Sequence, residues 1–177
     1  MNWKKVSDEV FYPNNLKQPI QISRNDIKSL KDIAQKNVRQ RARLCAHFSI
    51  DDAVHEMVIY HKKDTYIQPH KHLKKTESYM IIEGEIDVIL FDDYGAILDV
   101  IEMGNLNSDK TFFFRMPRPM FRTLIIKQDS IFLEVKKGPF NLDHVKWAEW
   151  APHHEKIDEV NKYLDQLSWR LEELFNK

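Results

Sequence analysis

The chain changes its hydrophobic rhythm twice. Up to about Ile22 it is polar and irregular, with Pro13 and Pro19. Ser23-Arg24-Asn25-Asp26 then predicts a helix start, a hydroxyl cap with an acid three positions later. Ile27, Leu30, Ala34 and Val38 follow at helical spacing, so a short amphipathic helix is expected to roughly Gln40. From Arg43 to Lys137 the period is that of strands, in short apolar or alternating runs: Leu44–Phe48, His55–His61, Thr65–His70, Ser78–Ile82, Glu85–Phe91, Ile97–Met103, Thr111–Met116, Phe121–Lys127 and Ser130–Val135. Many short strands with no helical pattern between them predict an antiparallel sandwich or barrel. Beyond the connector Trp147–Pro152, Ile157, Val160, Leu164, Leu167, Leu171 and Leu174 recur at spacings of three and four. That is a helix with a narrow apolar seam, which either docks on its own barrel or pairs two subunits. Three regions follow: an N-terminal segment and helix (1–42), a barrel (43–140), and a connector with a C-terminal helix (141–177).

Composition removes several function classes. At 177 residues the chain is about one domain long. Lys plus Arg and Asp plus Glu are 27 each, so no net field draws nucleic acid or an anionic membrane. Four glycines leave no phosphate-binding loop of the P-loop or dinucleotide kind. Cys45 is the only cysteine, so no internal disulfide forms. Neither a signal peptide nor a spanning apolar run is legible, and a cytoplasmic location is expected.

The informative stretch is Pro69-His70-Lys71-His72-Leu73-Lys74-Lys75-Thr76-Glu77, followed by Gly84. On a strand, residues two apart project from one face, with Cα atoms about 6.6 Å apart. Imidazoles so placed can converge on one ion at about 2.1 Å. The five-residue step to Glu77 allows a turn that returns a carboxylate to the same pole. Two His and one carboxylate with open positions is the arrangement of non-haem Fe(II) and similar sites.

His70-x-His72-x4-Glu77-x6-Gly84 resembles the first cupin motif. Arg41–His47, Leu90–Gly95, Phe132–Phe140 and Trp150-Ala151-Pro152 narrow the resemblance to the WbuC-type cupin-fold metalloproteins, over roughly Ile27 to Pro152. The resemblance implies an all-β double-stranded β-helix (cupin) barrel, here with a short N-terminal helix and a C-terminal amphipathic helix. It also implies a link to bacterial surface-polysaccharide gene clusters, and homodimers. On that basis a divalent metal (Fe, Zn, Mn or Ni) is expected on His70, His72 and Glu77. The second family motif normally supplies a fourth ligand, a His. Here the segment is Pro117-Arg118-Pro119-Met120-Phe121-Arg122-Thr123, and Arg122 stands where that His belongs. Arginine stays protonated and only donates hydrogen bonds. If it points inward, it repels a divalent cation and pairs with Glu77 in a two-pronged contact. Either three residues hold a metal weakly, or the site is metal-free and favours an anion.

Other residues have plainer readings. Lys36, Arg39, Arg41 and Arg43 form a basic run that suits the end of the first helix, or else a phosphate-binding edge. His47 is expected to line the site or make a structural hydrogen bond. His55 and His61 are read as falling on opposite faces of a strand, solvated or capping, and His153-His154 as a solvated cap. Of Phe112, Phe113 and Phe114, one face is expected under the C-terminal helix. Tyr66 and Tyr79 flank the His pair as acid-proton donors.

The expected function is an enzyme, a sugar isomerase or epimerase acting on a sugar or sugar-nucleotide ligand. His72 would move a proton, Tyr79 would donate one, and Arg122 or a metal would stabilise the enolate oxygen. A non-catalytic carbohydrate- or anion-binding module and an Fe(II)-type oxygenase are the alternatives.

Overall fold

The computed structural model describes residues 3–15, 17–116 and 119–175. In chain order the elements are β1 (Trp3–Lys5), β2 (Val10–Pro13), α1 (Arg24–Ala34), β3 (Arg41–Cys45), β4 (Val54–His61), β5 (His70–His72), β6 (Glu77–Glu83), β7 (Glu85–Phe91), β8 (Ile97–Gly104), β9 (Phe113–Met116), β10 (Phe121–Ile126), β11 (Ser130–Lys137), β12 (Val145–Trp147) and α2 (Ile157–Phe175). Pro117 and Arg118, which open the second-motif segment, lie outside the described residues.

The strand pairing defines the architecture. β4 pairs with β11, β5 with β10, β6 with β9 and β7 with β8, all antiparallel. The two halves of the barrel chain thus run as one long hairpin. Lateral pairing of β6 with β11 and of β7 with β10 rolls that hairpin into two sheets. This is a double-stranded β-helix, the form of barrel that the first-motif resemblance implies. Inward side chains of both sheets, among them Ile59, Ile81, Val88, Leu124 and Phe132, fill the closed part of the barrel.

The tight turn between β6 and β7 depends on Gly84. Its φ is +84°, and a Cβ there would lie 2.4 Å from the Asp129 carbonyl oxygen. α1 begins as expected: Ser23 and Asp26 form a capping box, and Trp3 Nε1 donates to Asp26 Oδ1 at 2.9 Å. It stops at Ala34 rather than Gln40. Asn37 captures the Arg41 backbone, with Nδ2 donating to its carbonyl at 2.6 Å, and Gln40 turns the chain through φ +48° into β3. The opening segment, expected to be irregular, supplies β1 and β2, with β2 parallel to β3. β5 holds His70–His72, not the predicted Thr65–His70; Pro69, with no N–H to donate, precedes it.

α2 docks on its own barrel. Leu167, 1% exposed, is buried with Ile89, Phe91 and Phe121, and Arg170 Nη2 donates to the Gly95 carbonyl at 2.7 Å. Phe112 and Phe113, expected beneath this helix, are exposed beside the edge strand β9 instead. The helix covers the other sheet, so it never reaches them. Among the described residues no helix is long and apolar enough to cross a membrane.

Candidate active site in the barrel

A cavity of about 410 Å³ opens between the sheets. Of the six residues singled out by motif or role (His70, His72, Tyr79, Glu77, Arg122, Tyr66), His70, His72, Tyr79 and Arg122 line it, and Glu77 packs behind them against Arg122 and His72. His70 and His72 come from β5, Tyr79 and Glu77 from β6, and Arg122 from β10, directly opposite His70. Tyr66 is the exception. Its hydroxyl donates to the Pro152 carbonyl at 2.8 Å, on the side of α2.

Arg122 points inward and is 2% exposed. Its Nη1 donates to the His70 carbonyl at 2.8 Å, and its Nη2 touches Oε1 of the equally buried Glu77. The expected two-pronged grip on Glu77 is therefore split between the carboxylate and the β5 backbone. The guanidinium meets Glu77 as a charge contact without a directed N–H, so both carboxylate oxygens and Arg122 Nε lack hydrogen-bond partners. Burial raises the Glu77 pKa, against the opposing pull of Arg122.

The two imidazoles lie edge to face with centroids 5.4 Å apart. Burial, reinforced by the Arg122 charge, pushes His72 down to about 3 and His70 well below its ordinary value. Both rings are neutral near pH 7. His72 Nε2 lies 3.6 Å from Glu77 Oε2, a contact between a neutral ring and a carboxylate rather than a salt bridge. His70 Nδ1 is 2.8 Å from the Gln68 carbonyl, which only accepts, so the proton sits on Nδ1 and Nε2 is bare. The Trp147 ring packs 5.0 Å from His70 and forms one wall. Burial and the Glu77 charge raise Tyr79, which remains a phenol and a donor.

This arrangement does not suit a divalent ion on His70, His72 and Glu77. At about 4 Å from a guanidinium, such an ion meets roughly 8 kcal/mol of repulsion at an effective dielectric of 20. Glu77, the ligand that would offset that charge, is already held by Arg122. Among the described residues, the His/Cys/Asp/Glu group whose ligand atoms all lie within 4.8 Å of one another is a different one, His153, His154 and Glu155. Read from sequence as a solvated cap, the pair does keep His153 exposed, with Nδ1 accepting from the Glu155 N–H at 3.5 Å, and it also lines the cavity, its rings 4.1 Å apart.

Several residues of the cavity wall escaped the sequence reading. β11 sets Glu134 across from Tyr79 and Lys136 across from Glu77. Lys136 Nζ donates to Glu134 Oε1 at 3.0 Å. Burial works to raise Glu134, but Lys136 and Arg122 outweigh it and hold it at about 2. Arg39, Arg41 and Arg43 line the same cavity, so these three of the basic run belong to the site, while Lys36 stays just past the end of α1. His55 and His61 are both buried, contrary to expectation. Six residues apart is an even step, which puts both on one face of β4. His61 lines the cavity, while His55 stacks on His47 at 4.2 Å, leaving His47 a structural role.

Residues 22–103 match a family model described as a domain of unknown function (DUF6016). No curated protein matches the chain. Solved structures similar to it include a Shewanella oneidensis protein (13% identity, TM-score 0.45, 55% of this chain and 63% of that one). Others are the oxalate decarboxylase of Bacillus subtilis (18%, 0.43, 55% and 24%) and a Streptomyces nucleoside dehydratase (9%, 0.43, 55% and 69%). The chain thus spans less than two thirds of the first two. Likeness this distant says nothing of chemistry. The strand pairing decides the fold. The barrel is a double-stranded β-helix.

Proposed function

We propose that this cupin acts on a hydroxylated small molecule, a sugar or sugar nucleotide, by acid–base chemistry that uses the side chains of the barrel alone. The observation that carries the reading is the pairing, in one cavity, of neutral imidazoles with a buried guanidinium whose Nε has no partner. A neutral His72 accepts a proton from a carbon next to a carbonyl. The negative charge that develops on the carbonyl oxygen is met by the Arg122 guanidinium and the Tyr79 hydroxyl, fixed donors in a site screened from water. Returning the proton to the other face, or to the neighbouring carbon, gives epimerisation or isomerisation. The WbuC-type resemblance supports a cytoplasmic role in surface-polysaccharide synthesis, as a homodimer. The charge contact between Glu77 and Arg122 favours one second reading, a rigid carbohydrate-binding cupin without turnover.

The test is solvent deuterium wash-in, followed by NMR, across a panel of aldose and ketose phosphates and keto-nucleotide sugars with chelator-treated protein. Exchange at the carbon beside the carbonyl is expected, and its loss in His72→Gln. Saturable binding without exchange would leave the binding module, and exchange only on addition of a metal would overturn the proposed chemistry.

A further inference from the structure

The two ends of the cavity carry different charge. At the buried end Arg122 and Lys136 are matched by Glu77 and Glu134, one carboxylate for each cation. At the mouth, three guanidinium groups share one acid. Glu9 Oε2 is 2.8 Å from Arg41 Nε, and Glu9 Oε1 is 3.5 Å from Arg39 Nε. Arg43 forms no ion pair among the described residues, and its buried Nε has no hydrogen-bond partner. These side chains are partly open, with Arg39 34% and Arg41 22% exposed, in contrast to the sealed inner pair. The crowding registers on the groups themselves. Burial first, then the neighbouring cations, lowers Arg41 to about 10. His61 lies beside Arg41 and Arg43 as a neutral ring.

We propose that Arg39, Arg41 and Arg43 form a phosphoryl subsite, which holds a phosphate or diphosphate while the uncharged part of the same ligand reaches His72 and Arg122. The inference rests on the cavity being the ligand site. Charge selects the group: three cations against Glu9 leave two positive charges, which a carboxylate half neutralises and a phosphate dianion cancels. Geometry agrees. Arg41 and Arg43 alternate on one face of β3, with Cα atoms about 6.6 Å apart. Planar guanidinium forks match phosphate oxygens in pairs. Glu9 keeps its place between Arg39 and Arg41, and its negative charge weakens the hold on the anion without removing it. The same cations disfavour a divalent ion on the neighbouring His153, His154 and Glu155, and Arg39 and Arg41 both act to lower His154, after burial.

Calorimetric titration of the full chain with inorganic phosphate, pyrophosphate and acetate at low ionic strength tests this. Saturable binding of phosphate or pyrophosphate is expected, without saturation by acetate. Tighter pyrophosphate assigns a diphosphate, and tighter phosphate a single phosphoryl group. Arg43→Gln should weaken the better anion at least tenfold, and Glu9→Gln should tighten it several-fold. Should Arg43→Gln fail to fold, the more exposed Arg39→Gln carries the same expectation. No saturation by either phosphate, equal binding of acetate, or unchanged affinity in a folded arginine variant overturns the proposal. Phosphate binding without deuterium exchange sinks only the acid–base reading, and exchange without phosphate binding sinks only the subsite.

Discussion

Arg122 sits directly across the sheet from His70, and its Nη1 ties the two strands together through the His70 carbonyl at 2.8 Å. Its second amino group rests on Glu77, from the opposite sheet. One side chain thus bridges both walls of the barrel at the residues its first motif supplies. Removing it alone strands a buried carboxylate. Arg122→Ala should cost about 3–5 kcal/mol of stability, whereas Glu77→Leu with Arg122→Met should recover most of that loss. Urea denaturation of the three proteins provides the comparison. A double variant no more stable than Arg122→Ala would mean that the two charges do not stabilise each other.

Replacing Arg122 by histidine should convert the pocket to a metal site. The substitution frees Glu77, removes the fixed positive charge and puts an imidazole across from His70. Elemental analysis of Arg122→His should find close to one divalent ion per chain, against far less in the parent. Equal metal content in the two would show that the guanidinium is not what keeps ions out.

The buried imidazoles make the fold acid-sensitive. His61 and His72 are held at about 3, below the ordinary value of 6.5, so they stay neutral in the folded chain while the unfolded chain takes up protons. Their contribution is full above pH 6.5 and is lost as pH falls toward 3, each adding up to about 1.4 kcal/mol per pH unit to the slope. Glu77, raised by burial, acts in the opposite sense in the acid range. Chemical denaturation between pH 8 and 4 should show stability falling with acidity, and less steeply in His61→Phe. A flat profile would contradict the burial of these rings.

Gly84→Ala should destabilise the barrel by about 1–3 kcal/mol, because the added methyl meets a backbone oxygen while φ stays at +84°. Thermal melts would register this. A neutral result would require the β6–β7 turn to relax away from Asp129.

How legible the site was depends on how far apart in sequence its parts lie. His70, His72, Glu77 and Gly84 fall within fifteen residues and keep strand and turn spacing, so they could be read directly. Arg122 stood out because it replaces a residue type the motif requires. Glu134, Lys136 and His61 reach the cavity only through the pairing of β11 with β6 and β4, a long-range choice that no local pattern expresses. The arginines were visible, but α1 ends a turn earlier than its apolar spacing suggests, since Val38 is exposed and Asn37 captures the backbone beyond it. That early stop moves Arg41 and Arg43 from a helix end onto a strand beside the cavity.

The N-terminal ribbon also protects the molecule from itself. β2 covers the side of β3 that faces away from β4, and β1 beyond it carries the exposed Lys4 and Lys5. Without the ribbon, β3 would offer its open amides and carbonyls to any passing strand, and copies of the chain could add one to another into polymers. With it, the row of backbone groups ends beside the exposed Lys4, whose charge repels a second molecule arriving in the same register, while Lys5 pairs with Asp8 at 2.7 Å.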